Sequence, residues 1–272
     1  MPSFLEILAR EAKERAASNY YKCVKNVSFN SISLKNTILK SKNTPIIAEI
    51  KKCSPSIGDL VNEIDIKKVA LEMEMGGAAG ISILTEPKRF KGSLNDLIEA
   101  RKQVKLPILM KDIIVSFVQI EAAANAGANA ILLIKSLFEK ELCKLNLEET
   151  IDYAHSLNLE VLLETHTEGE FDSAIKTKAD LIGINNRNLE TLEVNLNVSK
   201  KILSRKIDFN NKVIVSESGI KSLEDIQNLR KLGAHAFLIG SSIITSKNIK
   251  EKVREYANAW RLKYAELLEA KI

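Results

Sequence analysis

The segment Ile46–Leu60, "IIAEIKKCSPSIGDL", combines two features that decide the fold. Its first five residues, Ile46–Ile50, form an apolar run typical of a strand that is covered on both faces. The run ends in the opposite charges of Glu49 and Lys51 and passes into a Ser-Pro-Ser-Ile-Gly turn. Charges at the end of a buried strand mark a site only if other strands end in the same way.

Similar apolar runs recur along the rest of the chain. They are "GISILT", "PILMK", "AILLIK", "EVLLE", "LIGIN", "VIVSE" and "AFLIG". The intervals between them carry helix-like patterns such as "VNEIDIKKVALEMEMGG", "SFVQIEAAANAGA", "TEGEFDSAIKTKA" and "SLEDIQNLRKLGA". Several of these patterns end in glycine, as helices with a left-handed cap do. A strand followed by a helix, repeated eight times, predicts an α/β protein whose parallel sheet closes into a (β/α)8 TIM barrel.

An open, doubly wound sheet is the alternative fold. It is disfavoured because no GxGxxG motif follows the first strand. Residues 1–45 precede the repeat and are expected to form an N-terminal helical extension packed on the barrel, with 46–272 forming the barrel as a single catalytic domain. The closing segment "YAELLEAKI" follows the eighth predicted helix closely, so we expect no second fused barrel and a monofunctional chain.

The composition is that of a globular protein. Of 272 residues, 45% are hydrophobic and 28% charged, and the net charge of +5 is dispersed, which argues against nucleic acid as a partner and favours small anions. Cys23, Cys53 and Cys143 have no metal-ligand spacing, and their odd number is typical of a reduced, cytoplasmic protein. No apolar run approaches the roughly 18 residues of a membrane span, so no membrane association is expected.

The ends of the predicted strands share a chemistry. In a parallel barrel the carboxyl ends of all strands meet on one face, where loops form the active site. Because side chains alternate along a strand, Glu49 and Lys51 point to the same side, where the carboxylate can hold the ammonium group. The polar residues at these ends are Glu49, Lys51, Thr85, Lys111, Asp112, Lys135, Glu164, Asn185 to Arg187, Ser216 to Gly219, and Gly240 to Ser242.

The last two strands carry a second signal. "SESGI" and "LIGSS" each place glycine and hydroxyl groups directly after a strand. The loops after strands seven and eight are the usual phosphate site of such barrels, where backbone N–H groups hold the anion. Any one of these features alone is an ordinary turn or solvated loop residue. Together they predict a phosphorylated small-molecule substrate, with Lys51, Lys111 and Arg187 balancing further negative charge.

These motifs resemble the indole-3-glycerol phosphate synthase family. The resemblance extends in order from about Pro45 to Ser242 and depends on "IIAEIKKCSPSIG", "GAAGISILTEPKRFKGS", "LPILMKD", "GANAILLI", "LEVLLETHTEGE", "IGINNRNLETLEV", "VSESGIKSLEDI" and "LIGSS". It implies the tryptophan-biosynthetic conversion of 1-(2-carboxyphenylamino)-1-deoxyribulose 5-phosphate into indole-3-glycerol phosphate by ring closure, decarboxylation and dehydration. No metal and no organic cofactor are expected from this resemblance.

The resemblance also implies catalytic roles at the strand ends. Lys111 matches the family's general acid, which protonates the ketone oxygen during ring closure. Lys51 and Glu164 match the acid and base of the dehydration, although the assignment of each lysine to a step stays open. Glu49 matches the carboxylate that positions the lysines.

Further positions match the substrate contacts of the family. Asn185 and Arg187 match residues that orient the substrate, with Arg187 near its carboxylate, where a forked donor suits a planar anion. The remaining matches are Glu217 and Ser218 near the ribulose-derived hydroxyls, Phe90 against the anthranilate ring, and a phosphate cradle of Ser54, Gly219, Gly240 and Ser241.

The sequence departs from the family pattern at Ile113 and Cys53, and Met110 replaces an arginine that is common in the family. Ile113 stands where an aromatic residue is usual, so one wall of the ring pocket is expected to be aliphatic. Cys53 stands where Ala or Lys is commoner, and we interpret it as a small filler. His155, His166 and His235 have no partner at a useful spacing, and we expect all three to be structural or on the surface.

Two other functions compete with this interpretation. One is a different phosphate-binding barrel, such as phosphoribosylanthranilate isomerase or the tryptophan synthase α subunit, and the other is a non-catalytic barrel that serves as a binding or scaffold subunit. The presence of Lys51, Lys111 and Glu164 together with the Asn-Asn-Arg motif disfavours both. The expected oligomeric state is a monomer, with a weak homodimer as the alternative.

Overall fold

The strands close into one barrel. The computed structural model describes residues 2–22, 24, 26–56, 58–61, 64–205 and 208–260, so Cys23 and the segment "YAELLEAKI" lie outside the described residues. Within these residues eight parallel strands follow one another around the barrel in chain order, and the last pairs with the first. The strands are β1 (Ile46–Ile50), β2 (Gly80–Leu84), β3 (Ile108–Lys111), β4 (Ala130–Ile134), β5 (Glu160–Thr165), β6 (Leu181–Asn185), β7 (Val213–Glu217) and β8 (Ala236–Ile239). The predicted (β/α)8 fold is confirmed, and the open sheet is wrong.

Alternation along each strand divides the core into two layers. In β1, Ile46, Ala48 and Ile50 belong to a hydrophobic cluster shared with the surrounding helices. Ile47 belongs to a second cluster inside the barrel, together with residues such as Leu109 of β3. The side chains two positions further along, at the carboxyl ends of the strands, therefore point into the barrel mouth.

The helices begin and end where the sequence supplies caps. Asp65 accepts a hydrogen bond from the N–H of Lys68, so the first helix after β1 begins later than its apolar pattern suggested. Gly77, Gly127 and Gly233 adopt the positive φ that was predicted for glycine after a helix. The helices are α1 (Phe4–Ala17), α2 (Leu34–Lys40), α3 (Ile66–Met75), α4 (Leu94–Gln103), α5 (Phe117–Ala126), α6 (Lys135–Glu139), α7 (Leu147–Ser156), α8 (Glu168–Ala174), α9 (Asn197–Leu203), α10 (Leu223–Lys231), α11 (Ser241–Ile244) and α12 (Ile249–Ala257).

Helix α1 lies at the carboxyl ends of the strands. The Arg15 guanidinium lies 2.9 Å from Glu86 Oε1 and 3.3 Å from Asp112 Oδ1, on the loops that follow β2 and β3. The Tyr21 hydroxyl donates to Asp112 Oδ2 at 2.8 Å. These buried contacts fix α1 over the barrel mouth.

Helix α2 lies at the opposite end of the barrel. Glu160, the first residue of β5, accepts hydrogen bonds from the backbone N–H groups of Leu34 at 2.7 Å and Lys35 at 3.1 Å. The Leu34 side chain is fully buried against the amino ends of the strands. Among the described residues, no helix has both the length and the apolar character needed to cross a membrane.

Candidate functional site

A cavity of about 700 Å³ opens at the carboxyl ends of the strands. The residues predicted from the sequence come together there, although they are scattered along most of the chain. Those on the cavity wall are Glu49, Lys51, Ser54, Phe90, Lys111, Glu164, Asn185, Arg187, Ser218, Gly219, Gly240 and Ser241. Glu217 is fully buried behind the wall and contacts Lys111.

Lys111 lies among three buried carboxylates. Its Nζ is 3.1 Å from Glu217 Oε2, 3.4 Å from Glu49 Oε2 and 3.9 Å from Glu164 Oε2. Burial opposes its positive charge, but the three carboxylates outweigh burial and raise the pKa of the Lys111 ammonium. The group therefore stays protonated throughout the physiological pH range.

Glu49 joins the two lysines of the site. Its Oε1 lies 2.7 Å from Lys51 Nζ, which confirms that the two side chains share one side of β1. Burial alone would raise the pKa of Glu49, but Lys51 and Lys111 outweigh it and bring the pKa to about 2. Glu49 therefore carries a permanent negative charge between two ammonium groups.

Glu217 has the opposite electrostatic balance. Burial raises the pKa of this carboxyl, and repulsion from Glu164 and Glu49 adds to the effect, while Lys111 lowers it. The pKa of Glu217 is therefore raised above its usual value, whereas that of Glu49 is lowered.

Two glycines make room for the carboxylates. A Cβ atom on Gly183 would lie 2.1 Å from Glu217 Oε1, and one on Gly240 would lie 2.5 Å from Glu49 Oε1. Both distances are far below a normal van der Waals contact, so any larger residue would displace the carboxylate. Gly240 therefore shapes the charged part of the site as well as the loop after β8.

Arg187 connects two loops around the cavity. Its backbone N–H donates to Asn185 Oδ1 at 3.0 Å, which orients the Asn185 amide. Its guanidinium donates at 2.8 Å to the Ser56 hydroxyl, in the loop after β1, and at 2.8 Å to the Leu192 carbonyl. The Arg187 side chain thus holds the loop after β6 against the loop after β1.

The proposed phosphate end of the cavity has an unusual backbone. Ser218 has φ 65° and Gly219 φ 82°, so two successive residues after β7 lie in the left-handed region. A residue other than glycine in this region costs roughly 1–3 kcal/mol, and such strain can be retained at functional sites. The Ser54 hydroxyl, also on the cavity wall, lies 3.1 Å from that of Ser56, and Gly240 is the N-cap of α11.

An apolar wall faces this polar end. Phe4 and Leu8 of α1 contribute to it, together with Phe90 and Ile113. Ile113 lines the cavity, as expected for an aliphatic wall. A cavity with an apolar wall and a polar end suits a ligand that joins an aromatic ring to an anionic group.

Cys53, interpreted above as a small filler, and Lys135, which follows β4, both lie off the cavity wall. Cys53 is partly buried in a short ribbon formed by Cys53–Ser54 and Gly58–Asp59, in agreement with a filler role. Lys135 Nζ lies 3.1 Å from Glu139 Oε1 within α6. We therefore assign neither side chain to the chemistry.

His166 is the residue that the sequence analysis missed. Its Nε2 lies 3.2 Å from Glu164 Oε1 and its Nδ1 3.5 Å from Glu170 Oε2. The expectation that His166 has no partner is wrong, because residues 164 and 166 share one side at the end of β5. His155 also has a partner, Asp180 at 2.9 Å, and His235 accepts a backbone hydrogen bond, both away from the cavity.

The fold is similar to that of an enzyme whose structure has been solved. Thiamine phosphate pyrophosphorylase from Pyrococcus furiosus matches with a TM-score of 0.59 and 15% identity, over 87% of this chain and 100% of its own. At this identity the match supports the barrel fold alone.

Sequence comparisons identify the family. The family model described as indole-3-glycerol phosphate synthase matches residues 5–256. Curated relatives of that name are 47% identical in Methanocaldococcus jannaschii, over 83% of both chains, and 47% identical in Sulfurisphaera tokodaii, over 81% of this chain and 85% of its own. A relative from Campylobacter fetus is 43% identical over 80% of this chain and 83% of its own. The chain therefore belongs to the indole-3-glycerol phosphate synthase family.

Proposed function

We propose that the protein carries out the reaction of its family with the residues of this cavity. The reaction converts 1-(2-carboxyphenylamino)-1-deoxyribulose 5-phosphate into indole-3-glycerol phosphate, carbon dioxide and water. The observation that carries the proposal is the Lys111 ammonium, which lies among three carboxylates at the wall of a cavity that is apolar on one side and polar at its end.

Ring closure requires an acid at the ketone oxygen. When the ring carbon that bears the carboxylate bonds to the ketone carbon, the ketone oxygen becomes an alkoxide, which is more basic than an amine. Lys111 delivers the proton that turns this oxygen into a hydroxyl group, and its neighbouring carboxylates hold the ammonium in place. Loss of carbon dioxide then returns the bonding electrons to the ring.

Dehydration requires an acid and a base together. We assign protonation of the departing hydroxyl to Lys51 and removal of the proton from the ring-closed intermediate to Glu164. Burial alone would raise the pKa of Glu164, but His166 and Lys111 outweigh it and lower the pKa, so the base is ionised at neutral pH. Glu49 holds both lysines, because its two oxygens face one each.

The other wall residues bind the substrate in this proposal. Phe90 packs against the anthranilate ring, while Asn185 and Arg187 orient the substrate, Arg187 near its carboxylate. Glu217 and Ser218 contact the ribulose-derived hydroxyls. The phosphate is held by backbone N–H groups and hydroxyls of Ser54, Gly219, Gly240 and Ser241.

The remaining assignments follow from the family and the placement of the helices. Residues 1–45 act as an extension packed on a single catalytic barrel formed by 46–272, with α1 over its mouth. We assign the protein to the cytoplasm as a monomer, with a weak homodimer as the alternative, and assign it a small phosphorylated substrate. The reaction needs neither a metal nor an organic cofactor, since the lysines supply the acid.

A fluorescence assay tests this function. The purified protein is incubated with the carboxyphenylamino-deoxyribulose phosphate, and the rise of indole fluorescence is followed without added metal or cofactor. We expect a rise that is absent in Lys111→Ala and strongly reduced in Glu164→Gln, whose ligand binding survives. A folded protein that binds the product and gives a flat trace would instead be a non-catalytic barrel.

A further inference from the structure

His166 contacts Glu164 but does not itself line the cavity. Only 10% of its side chain is exposed. Its ring lies between two carboxylates, with Nε2 3.2 Å from Glu164 Oε1 and Nδ1 3.5 Å from Glu170 Oε2. The ring can therefore act on a substrate in the cavity through Glu164.

The far side of the ring is held firmly. Glu170 of α8 accepts a hydrogen bond from the Ser136 hydroxyl at 2.8 Å and from the His166 backbone N–H at 2.7 Å. These contacts fix the Glu170 carboxylate, which in turn faces the imidazole. The ring is thus anchored by α6 and α8, outside the strand that carries Glu164.

The Nε2 atom of the ring faces Glu164 Oε1, at a distance of 3.2 Å. Nε2 of His166 is buried and, among the described residues, has no acceptor aligned for a hydrogen bond. Glu164 Oε1 is close enough for an ion pair, and a small rotation of either side chain completes the hydrogen bond. The other oxygen, Oε2, faces Lys111 at 3.9 Å. The two oxygens of Glu164 therefore have different neighbours.

We infer that His166 is a positioning residue for the base of the reaction: it holds Glu164 by Oε1 and leaves Oε2 directed towards Lys111 and the substrate. This inference rests on the proposed function, in which Glu164 removes a proton. It assigns the carboxylate a fixed orientation, which a base that must act at one atom requires.

The carboxylates around His166 also make its ring a positive counter-charge for Glu164. Burial opposes the charge of the imidazole, but Glu164 and Glu170 outweigh it and raise the pKa of His166 to about 9. Lys111 is the other cation that faces Glu164, and it is shared with Glu49 and Glu217. At neutral pH the imidazolium therefore favours the ionised form of Glu164.

Two substitutions separate position from charge. His166→Ala removes both, so we expect kcat to fall about 10- to 100-fold with KM within about twofold. The pKa of Glu164 rises without the cation, so the acidic limb of kcat moves up by about one pH unit. His166→Gln restores a neutral hydrogen-bond donor near the position of Nε2 but not the positive charge. It should therefore recover much of kcat, while the acidic limb of the pH profile of kcat stays shifted.

His155→Ala is the matched control. His155 also pairs with a carboxylate, Asp180, but lies off the cavity wall, so kcat and its pH profile should not change. Wild-type kcat and an unmoved acidic limb in His166→Ala would overturn the inference and leave the proposed function intact. A wild-type protein without turnover would overturn the proposed function instead.

A titration of the histidine rings by ¹⁵N NMR needs no activity. We expect the His166 ring to remain protonated at pH 8 in the wild-type protein and to lose its proton at lower pH in Glu164→Gln. A His166 ring that is neutral at pH 7 in the wild type would overturn the pairing, whatever the enzyme assay shows. This measurement tests the pairing of His166 with Glu164 even if His166→Ala does not fold.

Discussion

The Glu49 carboxylate and the Lys51 ammonium, two residues apart on β1, lie 2.7 Å from each other at the barrel mouth. The second oxygen of Glu49 lies 3.4 Å from Lys111, on β3. Glu49 thus sets the distance between Lys51 and Lys111, the two cations that transfer protons in the proposed function. Any change that moves this carboxylate should disturb both cations at once.

Gly240→Ala tests this dependence without removing a charged group. The new Cβ would lie 2.5 Å from Glu49 Oε1, so the carboxylate must leave its contact with Lys51. We expect kcat to fall about 100-fold, because small displacements of catalytic groups cost about that much. Steady-state kinetics measure the loss. Gly169→Ala is the control: it lies in α8 with open space around it and should leave kcat unchanged.

Lys111→Met should abolish turnover and also make stability depend strongly on pH. Without the ammonium, the three buried carboxylates have higher pKa values, and the unfolding free energy falls as the pH rises through those values. We expect the free energy of unfolding to fall by about 3–5 kcal/mol at pH 8. The decrease should be smaller at pH 5, where the carboxyl groups take up protons.

Urea unfolding at the two pH values measures this difference. Lys135→Met is the control, because Lys135 also follows a strand but pairs with the half-exposed Glu139 and lies off the cavity wall. An equal decrease in unfolding free energy at both pH values in Lys111→Met would contradict the proposal that Lys111 lowers the pKa values of the three carboxyl groups. Turnover close to the wild-type value would contradict the assignment of the acid.

Inorganic phosphate should compete with the substrate for the polar end of the cavity. Gly219→Ala should weaken this competition by about tenfold, because Gly219 has φ 82° and a Cβ there would lie 2.4 Å from Val194. The inhibition constant of phosphate, measured at several substrate concentrations, tests both points. Gly77→Ala imposes a similar backbone strain, with φ 91° and only an ordinary contact of the new Cβ with Ala257, and Gly77 does not line the cavity, so the constant should stay unchanged. Non-competitive inhibition in the wild type would count against the proposed cradle.

Arg15→Met should loosen α1 over the cavity. The substitution leaves the buried carboxylates of Glu86 and Asp112 without their cation, and Phe4 and Leu8 of the same helix line the cavity. We expect KM to rise about tenfold and amide exchange in α1 to accelerate. Arg10→Met, on the exposed side of α1, provides the comparison and should change neither quantity.

The strands were the most predictable part of the fold. Each predicted apolar run lies in a strand of the barrel, because burial on both faces leaves an unbroken apolar pattern. The helix starts were less predictable: the pattern before β2 begins at Val61, but the side chain of Asp65 caps the helix at Ile66. The short ribbon at Cys53–Asp59 was not predicted, since two-residue strands leave no periodicity.

The site was predictable where one strand carries the partners, and less so where separate elements meet. The contact between Glu49 and Lys51 follows from alternation along β1, and the same rule applied to residues 164 and 166 would have revealed His166. The contact of Arg187 with Ser56 joins two loops far apart in sequence and leaves no local pattern. The effect of Gly183 and Gly240 on the carboxylates likewise requires three-dimensional distances.

The positions of α1 and α2 have a consequence for synthesis of the chain. The extension leaves the ribosome before its partners do: Glu86 and Asp112 for α1, then Glu160, which follows Leu34 by 126 residues. The N-terminus of α2 therefore cannot gain its buried acceptor until β5 has been made. The extension thus completes its contacts only after more than half of the barrel exists, and it then ties the early strands to the later ones.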